Sequence, residues 1–113
     1  MSPSGSAAEA LAASLLAEAG LEIIVRNYRC RHGEIDIIAR DGDTVVFVEV
    51  RSRGGDAYGG AAESITPAKR DRLLKTARHY LARLGRLPSC RFDAVLITAR
   101  PPRREWLRDV ISE

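Results

Sequence analysis

Two runs of largely apolar, β-branched residues, Glu34 to Arg40 and Thr44 to Arg51, flank Asp41-Gly42-Asp43. Asp and Gly tolerate the positive φ of a tight reversal, so the pattern predicts a β-hairpin. Each run carries one acid in its interior: Asp36 in Ile35-Asp36-Ile37-Ile38, and Glu49 in Val46-Phe47-Val48-Glu49-Val50. Placing a charge inside an apolar strand is costly without compensation. A turn on Asp41-Gly42 sets Asp36 opposite Phe47, with Glu49 diagonal to it. A turn shifted one residue on sets Asp36 directly opposite Glu49. In either register the carboxylates share a face, about 4.5 to 8 Å apart at Cβ, and Arg51 shares it too. A three-residue loop would send one acid to the other face.

Around the hairpin the chain reads as a single α/β domain over 7–113, with residues 1–6 as a frayed end. Ala7 to Ala19 has a helical repeat with Leu11, Leu15, Leu16 and Ala19 on one side, and Gly20 as its stop. Leu21 to Tyr28, with Ile23, Ile24 and Val25, suits a strand. Gly54 to Gly60 is a loop. Thr66 and Pro67 open a second helix as N-cap and first turn, with Leu73, Ala77, Tyr80, Leu81 and Leu84 as its apolar stripe and Gly85 at its end. Arg91 to Ala99 is nearly continuously apolar and reads as a central strand. Pro101-Pro102 breaks it, and Trp106 to Ile111 adds an edge strand. The order is α-β-β-β-α-β with that final edge strand, a mixed sheet flanked by helices.

Composition excludes several classes. The chain has 113 residues, 45% hydrophobic and 29% charged, which suits a folded domain and not a disordered one. No apolar run is long enough to span a membrane, and the start of the chain, with Glu9 and Glu18, does not read as a secretory signal. Cys30 and Cys90 make no disulfide framework, which points to the cytoplasm. With His32 and His79 they match no zinc spacing. Of the 18 basic residues only Lys69 and Lys75 are lysine. Arginine's planar fork suits phosphate, and a GC-rich genome produces the same bias.

Two carboxylates on one face repel each other, and a divalent cation between them removes that cost. Hard oxygen ligands suit Mg²⁺ or Mn²⁺. With Arg51 beside them to meet a phosphate, the set matches the needs of phosphodiester hydrolysis. The same three residues also make an ordinary cross-strand charge cluster on a wet sheet face.

At these positions the sequence resembles a known family. Gly33-Glu34-Ile35-Asp36, then Val46-Phe47-Val48-Glu49-Val50-Arg51 with Ser52-Arg53, is similar to the YraN-like family of small bacterial proteins. That family is grouped with Holliday junction resolvases and other restriction-endonuclease-like nucleases of the PD-(D/E)XK type. The resemblance extends over nearly the whole chain, through Gly5 and Glu9, Arg26-Asn27-Tyr28-Arg29, Tyr58-Gly59, Lys69 and Arg91-Phe92-Asp93. It implies a restriction-endonuclease-like core, Asp36 and Glu49 as ligands of Mg²⁺ or Mn²⁺ joined by the Val50 carbonyl, and Glu9 as a helix acid that helps build the site. Arg51 stands where that superfamily's motif has lysine. An arginine cannot give up its proton, so it can stabilise charge but not act as a base. The resemblance further implies that Arg26 contacts phosphate, and that the partner is DNA, cut at branched or damaged structures, by a homodimer on the analogy of symmetric resolvases. A binding module that keeps the fold without hydrolysis is the alternative. Arg29, Arg31 and Arg53 extend the basic set, and Lys69 lies where it can turn toward the site. On the second helix Arg72, Lys75, Arg78, His79 and Arg83 form a basic outer face, which suits a solvated exterior as well as a phosphate track.

Overall fold

The structure is a computed structural model and describes residues 3–53, 66–99 and 102–111. The expected glycine loop, with Tyr58-Gly59, lies outside the described residues. In chain order the elements are α1 (Pro3–Glu18), β1 (Glu22–Cys30), β2 (Gly33–Asp41), β3 (Thr44–Arg53), α2 (Pro67–Leu84), β4 (Cys90–Ala99) and β5 (Pro102–Leu107). This is the α/β order read from the sequence, with the last strand present. Helix α1 begins at Pro3, inside the segment read as a frayed end.

The five strands lie side by side in sequence order. β3 and β4 run parallel, and every other neighbouring pair is antiparallel. A parallel pair needs a crossover, and α2 lies in the connection between β3 and β4. The hairpin register settles the choice the sequence left open. Asp41 pairs with Thr44 and Ile37 with Val48, so the turn is Gly42-Asp43, with Gly42 at φ +60.

Each face of the sheet carries its own core. On one side Phe47, Ile35, Ile38 and Phe92 pack with Leu73, Leu74, Ala77 and Tyr80 of α2. On the other, Ile37, Val46, Val48 and Val95 pack with Ala8, Ala12 and Leu16 of α1. The buried row of α1 is thus Ala8-Ala12-Leu16, while Leu11 stays 44% exposed. Small residues on this row bring the helix close to the sheet, and Glu9, next to Ala8, is carried in with them to 6% exposure. On α2 the stripe is also shifted. Leu74 and Thr76 are buried, and Leu84 is exposed. Thr66 caps α2, its Oγ1 accepting from the Lys69 N–H at 3.2 Å, and Gly85 closes the helix in the left-handed conformation.

The C-terminal end departs from the reading of residues 106–111 as a strand. Pro102, expected to break the chain, opens β5 instead, where an edge position tolerates a missing donor. Beyond Leu107 the chain folds back. The Val110 N–H donates to the Phe92 carbonyl at 2.7 Å, and Ile111 joins the α2-side core. Asp93 secures this return. Its carboxylate, fully buried, accepts from Arg91 Nε at 3.1 Å, from the Trp106 indole at 2.9 Å and from the Asp109 N–H at 2.9 Å. No helix among the described residues is long and apolar enough to cross a membrane.

Candidate metal centre

Strand alternation on β1 fails twice, at a register shift between Ile23 and Val25 and again at Asn27, and the site lies at the second break. Val25 and Tyr28 both pack on the α2 side although three residues apart, and Ile35 and Ile38 do the same on the neighbouring strand. In a regular strand residues three apart face opposite ways. This second break and the one on β2 lie across from each other, because Arg26 pairs with Ile37 and Tyr28 with Ile35, which places Asn27 opposite Asp36. Asn27 takes up the break on β1 with φ +57.

On β2 the break turns Asp36 away from the α2 side. A regular strand that keeps Ile38 on that side would put Asp36 there too, on one face with Glu49. Asp36 instead lines a groove of about 320 Å³ beside α1, with Ala8, Glu9, Asn27, Arg29, Glu34, Val50 and Ser52. Glu49 remains on the α2 side. The two acids therefore approach across the seam between the faces, not along one face as the simple hairpin geometry implies. Their carboxyl groups still meet in a hydrogen bond.

The meeting is possible because the β2–β3 ladder stops at Ile37 and Val48. The Val50 N–H donates to Asp36 Oδ2 at 2.7 Å. A strand residue points its N–H and C=O to the same side, so the Val50 carbonyl faces this opening too. Burial raises the Asp36 pKa to about 8, helped by the hydrogen bond and charge of Glu49 and opposed by the Val50 N–H. At neutral pH the Asp36 carboxyl keeps its proton, as expected for a buried acid with a carboxylate this close.

Basic side chains surround the pair. Lys69, on the first turn of α2, places its Nζ 2.5 Å from Glu49 Oε2, and Arg51 lies 3.6 Å from the same oxygen. Arg26 lies 3.5 Å from Glu9 Oε1 across the groove, and Arg29 is 2.9 Å from Glu34. Four of the basic residues gathered here thus compensate acids of the site and its groove. Arg31 is exposed, and the side chain of Arg53 lies outside the described residues. The outer face of α2 is solvated. Arg72, Lys75, Arg78, His79 and Arg83 are exposed, Lys75 bridges Asp71 within the helix, and His79 meets the Tyr28 hydroxyl.

The donor set fits a hard divalent cation. Asp36 and Glu49 supply converging oxygens, and the Asp36 carboxyl keeps its proton beside Glu49. Glu9 Oε1 is buried with no hydrogen-bond partner among the described residues. No group of three His, Cys, Asp or Glu among the described residues closes around an ion. The pair is thus an open site, consistent with the preference of Mg²⁺ for one or two carboxylates with water and phosphate in the remaining positions.

Two features of the site had no place in the sequence reading: Glu34 is the partner of Arg29, and Asn27 carries the strand break. Lys69, read as able to turn toward the site, does so and binds Glu49. The one available signal was Asn27, a poor strand former in the middle of a strand.

A family model described as an uncharacterised protein family, UPF0102, matches residues 8–97. A UPF0102 protein of Nitrosomonas europaea is 57% identical over 96% of this chain and 93% of its own length. One from Cupriavidus taiwanensis is 56% identical over 92% of this chain and 79% of its own. One from Methylobacillus flagellatus is 52% identical over 96% of each.

Proposed function

The chain belongs to the UPF0102 family, also called the YraN family, and we propose that it is a metal-dependent endonuclease acting on DNA. The observation that carries this reading is the hydrogen-bonded meeting of the Asp36 and Glu49 carboxyl groups at the end of an interrupted ladder. Asp36, Glu49 and the Val50 carbonyl are the groups to hold Mg²⁺ or Mn²⁺. Such an ion lowers the pKa of a bound water and polarises a scissile phosphate.

The chain's own residues do the rest. Val50 N–H holds the Asp36 carboxylate in one orientation. Arg51, permanently charged, stabilises the negative charge that develops on the phosphorane oxygens. Lys69 fixes the Glu49 carboxylate, and Arg26 and Arg29 border the groove where a phosphate backbone would lie. Glu9 keeps the floor of the groove acidic beside Asp36. Branched or damaged DNA in the cytoplasm is the substrate class, and a homodimer would offer two such grooves to one junction.

A second reading is a nucleic-acid-binding module without hydrolysis. It is favoured by Glu49, which already has two cations upon it, so a metal must compete for that carboxylate. The test is incubation with linear, nicked and four-way DNA in Mn²⁺, alongside Asp36→Asn and Glu49→Gln. Cleavage lost in both variants supports the endonuclease. Salt-sensitive binding without cleavage supports the module, and cleavage that survives both substitutions refutes the site.

A further inference from the structure

Asn27 has no part in the mechanism above, yet its backbone is among the most costly in the sheet. It sits in the middle of β1 across from Asp36, at φ +57. Only glycine enters this region freely, and asparagine is among the few side chains that tolerate it. If the strand needed the kink alone, glycine would serve with no Cβ penalty. What asparagine adds is its side chain, which lines the groove beside Glu9, Asp36 and Ser52.

That side chain makes no hydrogen bond among the described residues. Its chain neighbours differ in this respect. Arg26 is drawn to Glu9 and Arg29 to Glu34, so the groove's carboxylates consume the cations beside them. An amide carries no charge to be captured in that way. It keeps two N–H donors and one acceptor available.

We infer that Asn27 contacts substrate in this groove, its side-chain amide donating to a non-bridging phosphate oxygen of a DNA strand. The inference rests on the nuclease reading of the groove and adds to it the residue that receives the backbone. A phosphate entering among Glu9, Glu34 and Asp36 finds the neighbouring arginines already drawn to acids, and a neutral donor there supplies a hydrogen bond that those acids do not capture. The left-handed backbone sets the amide on the groove side of β1, next to Asp36, where the phosphate adjoining the scissile one would pass.

The test compares Asn27→Gly and Asn27→Asp with the wild-type chain. Both replacements accept the left-handed backbone, so folding is preserved and melting of the metal-free protein controls for it. Thermal shift by Mn²⁺ reports the carboxylate site. Affinity for a four-way DNA junction is measured with Ca²⁺, another oxygen-seeking cation, in place of Mn²⁺. The expected result for Asn27→Gly is an unchanged Mn²⁺ shift with DNA affinity lowered roughly tenfold, the size of a hydrogen bond to a charged group. Asn27→Asp loses more, and part of its loss is recovered at higher salt, because added repulsion is screened. An Asn27→Gly protein that binds DNA as tightly as wild type overturns the inference. So does one that loses the Mn²⁺ response together with DNA affinity, since the residue would then act by placing Asp36. If the wild-type chain takes Mn²⁺ but shows no affinity for DNA, the nucleic-acid reading fails first and this contact fails with it.

Discussion

Asp36→Asn gives the most direct test of the carboxyl pair, because it preserves shape while removing titration. The amide oxygen can still accept from the Val50 N–H, as Asp36 Oδ2 does at 2.7 Å, and the new NH₂ can donate to Glu49 at any pH. In the native wild-type chain the Asp36 carboxyl keeps its proton to about pH 8. An unfolded aspartate loses it near pH 4. Between those limits the native state binds one proton more than the unfolded state. The group's favourable contribution is therefore complete at low pH and is lost as pH rises through the folded pKa. The slope is at most about 1.4 kcal/mol per pH unit. Between pH 5.5 and 7.5 the ceiling is just under about 3 kcal/mol, and solvent screening of a partly exposed carboxyl reduces it to about 1–2 kcal/mol. The assay is urea denaturation of both proteins in EDTA at each pH. Taking the difference between variant and wild type cancels the titrating groups that do not interact with Asp36. Asp36→Asn should gain on wild type by about 1–2 kcal/mol from pH 5.5 to 7.5. A difference that stays flat, or shrinks as pH rises, would refute a proton retained on Asp36. Mn²⁺ should then stabilise wild type and leave the variant unmoved.

Other residues give further tests. Asp93→Ala strips the buried partner from Arg91, Trp106 and Asp109, and should cost about 3 kcal/mol or more in urea denaturation, with the Trp106 emission shifted to the red in the native state. Lys69→Met removes the ammonium from Glu49. Titration with Mn²⁺ followed by thermal shift should show tighter metal binding, because the ion no longer competes with Nζ, while the metal-free protein melts lower. Thr66→Ala removes the cap on the Lys69 N–H and should lower stability by about 1 kcal/mol in chemical denaturation.

The hairpin, the two helices, their caps and the central strand were legible because each rests on a local rule. Asp41-Gly42-Asp43 demands a reversal, Thr66-Pro67 starts a helix, and Ala94 to Ile97 is too apolar for an edge. The acids at 36 and 49 were legible for the same reason, since a charge within an apolar strand is conspicuous. Lys69 was placed near the site only as a residue able to turn toward it, because the end of a crossover helix is located by the whole β-α-β unit and not by its own neighbours. Asp93 shows the opposite difficulty. In the sequence it is one more acid in an apolar strand, like Asp36, and only its contacts with Arg91, Trp106 and Asp109 mark it as a structural anchor.

By itself the sequence determined the order of helices and strands up to β4, that a turn joins the two acid-bearing strands, and that the acids come close, because backbone conformation and pairing follow from nearby residue types. Tertiary structure alone decided how they come close. Period-two alternation is a property of an undisturbed strand, and the matched breaks at Asn27 and Asp36 arise where two strands accommodate each other between two cores. That accommodation turns Asp36 toward α1 and Glu9, where it lines the groove, and leaves Glu49 with Lys69 of α2.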